Sequence, residues 1–191
     1  NINAFYRMLN GENIKCKIIK AEEEFKNCSH LILPGVGSFD DGMNKLESQL
    51  YYEQFKEDVI VKEKPILGVC IAMHLFCKKS DEGSKAGLGF IDAEVKKILP
   101  TSEIRVPHMG WNEVQIKNNC KIFNGINAKE GFYFLHSYRI DQINENEIIA
   151  ETFFGKNFIS GFNKNNIFGF QFHPEKSHSN GSKLLKNFSK I

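Results

Sequence analysis

Apolar positions at the start of the chain recur at helical spacing: Ile2, Phe5, Tyr6 and Leu9 share one face, and Asn10-Gly11 supplies a stop. Residues 15–19 then read as a short strand, and Leu31-Ile32-Leu33 as a buried one ending at Pro34. Asp40 is placed to cap a helix carrying Met43, Leu46 and Leu50 on one side. A second buried run, Ile66-Leu67-Gly68-Val69, follows Pro65, and residues 72–77 read as helix beyond it. Strand alternating with helix predicts a parallel sheet with helices on both faces. From about Ala93 the pattern becomes strand after strand: 93–99, 113–116, 133–137, 148–153, 158–162 and 167–172, with turn residues between. The final segment, 180–189, sets Leu184, Leu185 and Phe188 on one helical face. The expected fold is α/β, a three-layer sandwich with a mostly parallel central sheet and an added antiparallel hairpin region, forming one domain over residues 1–191.

Composition narrows the classes without choosing among enzymes. A chain of 191 residues is long enough for one well-buried core and short for two. With 41% hydrophobic and 25% charged residues it matches an ordinary globule rather than a disordered chain. The net charge of +2 gives no reason to expect nucleic acid or an anionic membrane as partner. No apolar run approaches the ~20 residues that span a bilayer, and no signal-peptide pattern opens the chain. Cys16, Cys28, Cys70, Cys77 and Cys120 are odd in number and scattered, which argues against a disulfide framework or a metal site and for a reducing cytoplasm.

The chemistry concentrates at Gly68-Val69-Cys70-Ile71-Ala72. A buried strand runs directly into a helix with a cysteine at the junction and small residues two before and two after. That is the arrangement of a nucleophile elbow, whose sharp turn needs small neighbours. A helix N-terminus there would favour the thiolate. The competing reading is an inert buried cysteine, which is the reading taken for the other four. A nucleophilic cysteine needs a base and the base an orienting group. Phe172-His173-Pro174-Glu175 supplies both after an apolar strand, and sites in open α/β sheets gather at the strands' carboxyl ends. His30, His108 and His178 read as surface-loop residues. Pro34-Gly35-Val36-Gly37-Ser38 follows a strand with glycines that free backbone N–H groups for a ligand. It lacks the Gly-Lys-Ser/Thr of a phosphate cradle, so an oxyanion hole is preferred, with a plain Gly-rich turn as the alternative.

Five stretches in order carry a family resemblance: Pro34-Gly35-Val36-Gly37-Ser38-Phe39, Gly68-Val69-Cys70, Pro107-His108-Met109-Gly110-Trp111-Asn112, His136-Ser137-Tyr138 and Gln171-Phe172-His173-Pro174-Glu175-Lys176-Ser177. Together they resemble the class I (triad) glutamine amidotransferases, a flavodoxin-like fold, and more narrowly the glutaminase subunit of imidazole glycerol phosphate synthase, the HisH type. The resemblance implies that Cys70 attacks the carboxamide of L-glutamine, that His173 protonates the leaving ammonia and that Glu175 holds His173. It places oxyanion stabilisation on Gly35-Val36-Gly37, where a peptide turns before its N–H faces the site. Glu82 would pair with the substrate's α-amino group, and the backbone of Ser137 and Tyr138 would grip its α-carboxylate. Trp111, Tyr133 and Lys176 would face a (β/α)8 cyclase subunit that closes an imidazole ring in histidine biosynthesis, in a cytoplasmic heterodimer needing no cofactor.

Three departures accompany the resemblance. Ala72 stands where the family has glycine, and His74 where it has a substrate-touching glutamine that a histidine could replace as donor. The chain also opens about one strand late, with Asn1 matching the Asn of the family's first Gly-Asn turn, so an upstream strand is expected to be absent from the sequence. An alternative destination for the ammonia is a sugar amidotransferase of surface-polysaccharide or flagellin-glycan biosynthesis, toward which Gly87–Ala93 and His178 lean. Other readings are a catalytically impaired regulatory subunit and a cysteine hydrolase on the same fold.

Overall fold

The computed structural model describes residues 2–118 and 120–191; Asn1, matched above to the family's first turn, lies outside them. In chain order the elements are α1 (Ile2–Gly11), β1 (Leu31–Gly35), α2 (Phe39–Glu47), α3 (Tyr52–Ile60), β2 (Ile66–Cys70), α4 (Ile71–Leu75), β3 (Lys79–Ser80) and β4 (Glu94–Lys97). They continue with β5 (His108–Asn112), β6 (Gln115–Ile116), β7 (Phe132–His136), β8 (Tyr138–Ile140), β9 (Ile148–Phe154), β10 (Lys156–Lys164), β11 (Ile167–Phe170) and α5 (His178–Phe188).

The main sheet has the order β1-β2-β11-β10-β9-β6. Its β1, β2 and β11 run parallel, and the remaining pairings are antiparallel. Two smaller sheets, β3-β4-β8 and β5-β7, extend the second half. The central strand explains the layering. Leu67 and Val69 of β2 point into a core shared with Phe5 and Leu9 of α1 and Leu184, Leu185 and Phe188 of α5. Ile66, one residue out of phase, points the other way, into a core with Phe55 and Val59 of α3 and Val95 and Ile140 of the β4–β8 sheet. Both faces of β2 are therefore covered, which is why its sequence is continuously apolar rather than alternating. Burying Leu67 completely contributes about 1.5–3 kcal/mol.

Several elements differ from the sequence expectation. Residues 15–19 form no strand; with the edge strand β1 they line a cavity of about 710 Å³. The cap of α2 is Ser38, whose hydroxyl accepts from the Asp41 N–H, and Leu50 lies beyond the helix end and fully exposed. Asp40 instead accepts from the N–H groups of Ser84 and Lys85, which hold its carboxyl below the usual range. Helix α4 ends at Leu75, two residues short of expectation, and β5 forms where no strand is expected because Gly110 breaks its apolar pattern.

Candidate active site

Parallel strands β1, β2 and β11 bring three of the sequence motifs to one edge. Gly35 at the end of β1 is in register with Cys70 at the end of β2. Cys70 has φ 56° and ψ −114°, a left-handed conformation that costs a non-glycine residue roughly 1–3 kcal/mol. The strain is that of a strand reversing directly into a helix, as expected for a nucleophile elbow. Close approach explains Gly35: a methyl there would stand 2.2 Å from Ile71 Cγ2 and 2.7 Å from Ala72 N. The methyl of Ala72, the first departure from the family, thus fits because Gly35 has none. Gly37, with φ 110°, turns the chain away from the sheet, leaving Val36 67% exposed beside it.

Beyond β11, the chain delivers His173 to the same edge, and the His173 N–H donates to Tyr133 O of β7 at 2.8 Å. The imidazole is 3% exposed, and its Nδ1 donates to Glu175 Oε1 at 2.9 Å, which assigns the proton of that nitrogen. Its Nε2 is buried with no hydrogen-bond partner among the described residues. Burial works against a charged ring, yet Cys70 and then Glu175 outweigh it and hold the pKa up, to about 9. Helix α4, which Cys70 precedes, spans only five residues, a short version of the helix expected after the cysteine. The Cys70 sulfur also lies 3.7 Å from Leu135 O and 4.0 Å from Gln171 Nε2.

A cavity of about 280 Å³ opens over Cys70. Gly37, His74, Glu82, Ser137 and Tyr138, all singled out in the sequence, line it, together with Ile71, Pro107, Leu135 and His136. Glu82 sits on a loop pinned by Asp40 and accepts from the Phe39 N–H at 3.1 Å; burial raises its pKa. His74 is fully buried, with Nε2 2.7 Å from Gln171 Oε1, and burial lowers its pKa to about 4. Since Gln171 Oε1 can only accept, the His74 Nε2 proton is already committed, and the ring donates to Gln171 rather than to a ligand. The larger cavity beside β1 is lined mainly by apolar side chains of α1, β1 and α5, away from this chemistry.

Trp111, Tyr133 and Lys176 converge on the outer side of the β5–β7 hairpin. Trp111 pairs across the ladder with Tyr133, and Lys176 Nζ lies 5.3 Å from the centre of the Tyr133 ring. His178 stacks on Trp111 at 5.2 Å. Met109 and Leu135, the next pair on this face, are exposed as well. Sequence reasoning misplaced His108, which is not a loop residue but is buried against Phe134 and Phe154. It also assigned nothing to the rings of His108 and His136 or to Gln171. The available signal is the strand period of two, which puts His108 and His136 on the inner face of their hairpin with Phe132 and Phe134.

Comparison with known proteins agrees with this geometry. The family model described as glutamine amidotransferase class-I matches residues 2–191. The chain is 42% identical to the imidazole glycerol phosphate synthase subunit HisH of Leptospira interrogans, covering 100% of this chain and 95% of that protein. It is 38% identical to subunit HisH 2 of Pseudomonas aeruginosa with the same coverage. Among solved structures, PurLQS from Thermotoga maritima superposes with a TM-score of 0.73 at 18% identity, over 98% of this chain and 91% of that one, a likeness of fold. A strained cysteine at a strand–helix junction, its histidine–glutamate partners and a match along the described length lead to one conclusion: the chain belongs to the class I glutamine amidotransferase family, among its HisH-type members.

Proposed function

We propose that this chain hydrolyses L-glutamine through a Cys70–His173–Glu175 triad and delivers the ammonia to a (β/α)8 cyclase partner that forms imidazole glycerol phosphate in histidine biosynthesis. The observation that carries the chemistry is geometric: Cys70 stands in a strained strand–helix turn beside the buried His173 ring, whose Nδ1 is held by Glu175 Oε1 at 2.9 Å. Glu175 fixes the proton on Nδ1, which turns Nε2 toward the reaction, where it takes the Cys70 proton and later passes it to the departing amine. The Cys70 thiolate attacks the carboxamide carbon, and backbone N–H groups of Gly35, Val36 and Gly37 receive the oxyanion. His173 gives its proton to the leaving ammonia. Water, deprotonated by the now neutral ring, then hydrolyses the γ-glutamyl thioester to glutamate.

Glu82 at the cavity wall receives the α-ammonium, and the Ser137 and Tyr138 backbone the α-carboxylate. The exposed face of Met109, Trp111, Tyr133, Leu135 and Lys176 is the docking surface for the cyclase; its mixture of aromatic, aliphatic and cationic side chains suits an interface. Similarity to relatives named for imidazole glycerol phosphate synthase favours this acceptor over a sugar amidotransferase. The cytoplasmic setting belongs to the same proposal and rests on five cysteines that are all free. Glutamate release from glutamine, with and without a cyclase subunit and its nucleotide ligand, tests the reading. Stimulation of at least about tenfold by the pair is expected; release unaffected by any such partner overturns it.

A further inference from the structure

The inner face of the β5–β7 hairpin carries a hydrogen-bonded chain that the chemistry above does not use. Asn112 Nδ2 lies 3.1 Å from His108 Nε2, His108 Nδ1 lies 2.9 Å from His136 Nε2, and His136 Nδ1 lies 2.8 Å from Tyr138 O. Both ends dictate the direction of every bond. At one end, Asn112 Oδ1 accepts from the Glu113 N–H and Asn112 Nδ2 donates to Phe153 O, so the amide has one orientation and must donate to His108. At the other end a carbonyl oxygen can only accept, so His136 carries its proton on Nδ1 and accepts at Nε2. His108 then accepts at Nε2 and donates from Nδ1. The two ends agree without adjustment, and both rings are neutral in this arrangement.

The chain ends where the backbone passes from one sheet to another. Strand β7 pairs with β5, whereas β8 pairs with β4 in a different sheet, and Ser137 alone connects them. Two bonds bracket this junction: Ser137 O, of the 137–138 peptide, accepts from the Ile98 N–H at 2.9 Å, and Tyr138 O, of the next peptide, accepts from the His136 ring, which ties residue 136 to residue 138 across Ser137. Ser137, Tyr138 and His136 all line the cavity over Cys70. The other end of the chain is immobilised by packing. His108 is stacked between Phe134 and Phe154, with ring centres 4.7 and 4.1 Å away, and Phe158 meets it edge-on. The ring has no room to rotate and present the wrong nitrogen.

We propose that His136, held in its Nδ1–H tautomer by His108 and Asn112, is a positioning residue that sets the Ser137–Tyr138 backbone for the substrate's α-carboxylate. The proposal deepens the glutaminase reading and rests on it for the identity of the ligand. It assigns His136 to substrate affinity and leaves the reacting groups to Cys70 and His173.

Two conservative variants separate this role from simple packing. The amide of asparagine reaches the place of a histidine Nδ1, so His136→Asn keeps a donor for Tyr138 O. The amide of glutamine reaches the place of Nε2, so His136→Gln loses that donor. In glutamine hydrolysis by the complex with the cyclase partner, His136→Gln raises KM about tenfold with kcat within about threefold, the loss of one well-placed hydrogen bond. His136→Asn keeps KM within about threefold of the parent. Alkylation of Cys70 by iodoacetamide, which needs no α-carboxylate grip, proceeds at the parent rate in both. Hydrogen exchange of the 137–138 amides rises about tenfold in His136→Gln alone, a readout independent of turnover. A parent complex without glutaminase activity therefore sinks the glutaminase reading, while exchange still tests the positioning. Equal KM and equal exchange in the two variants, or a joint loss of kcat and alkylation, overturn the proposal.

Discussion

His173 and His136 stand close to the same cysteine, 3% and 6% exposed, and the protein drives their ionisation in opposite directions. Burial opposes charge in both. His136 finds another neutral ring and a carbonyl, and its pKa falls well below the ordinary 6.5. His173 finds a sulfur and a carboxylate, and its pKa rises to about 9. His74 and His108 follow His136, each lowered to about 4 by burial. One charged imidazole among neutral ones suits the site, because like charges at this density would repel and only one proton is needed for the leaving group. What distinguishes the proposed base from the proposed positioning residue is the partner at the ring nitrogens, and burial is common to both.

The largest effect is expected from removing the group that charges His173. Cys70→Ala should abolish glutamine hydrolysis, a loss of about 10⁵ or more, while ammonia-dependent synthesis by the partner continues. The His173 pKa should fall from about 9, because the sulfur that favours its charged form is gone and burial remains. An imidazole NMR titration reads this directly, and an unchanged pKa would break the comparison.

Glu175→Gln should reduce kcat by about 10²–10⁴, as loss of the orienting carboxylate does in such triads. It should also change stability against pH. A ring held charged contributes stability that is complete below its unfolded value of 6.5 and is lost as pH rises through about 9. Denaturant midpoints measured between pH 6 and 10 should fall in the parent and fall less in this variant.

The smallest effect belongs to the neutral set. His108→Phe keeps the aromatic stack but leaves His136 Nε2 without its donor, costing about 1–3 kcal/mol at pH 7. A ring held neutral contributes stability present above 6.5 and lost as pH falls through about 4. The acid limb of the stability profile should therefore flatten in this variant, opposite in sign to the alkaline change in Glu175→Gln. Equal slopes in parent and variant would show that folding does not lower the His108 pKa.

The buried strands β1, β2 and β11 were legible because Leu31-Ile32-Leu33, Ile66-Leu67-Gly68-Val69 and 167–170 are short apolar runs bounded by turn residues. Strand β5 was not, since Gly110 and alternating polar residues obscure a strand that faces a hairpin partner rather than the main core. Likewise residues 15–19 have the composition of a strand, but a strand is defined by its ladder partner, which composition does not supply. The proximity of Cys70 to the His173–Glu175 pair was foreshadowed by local context: a cysteine between small residues at a strand end, and a histidine two residues before a glutamate at the end of another.

By itself the sequence determined the residue types at the strand ends, the apolar periods that bury β2 on both faces, and the family resemblance those motifs carry. Tertiary structure alone decided which nitrogen meets which oxygen. The Phe172-His173-Pro174-Glu175 run pairs His173 with Glu175 locally, but nothing in the residues flanking His136, His108 and His74 states that Tyr138 O, His136 and Gln171 serve those rings. Ionisation depends on desolvation and on charges within a few ångströms. Those distances exist only after strands far apart in the chain, β2, β5, β7 and β11, have been brought together.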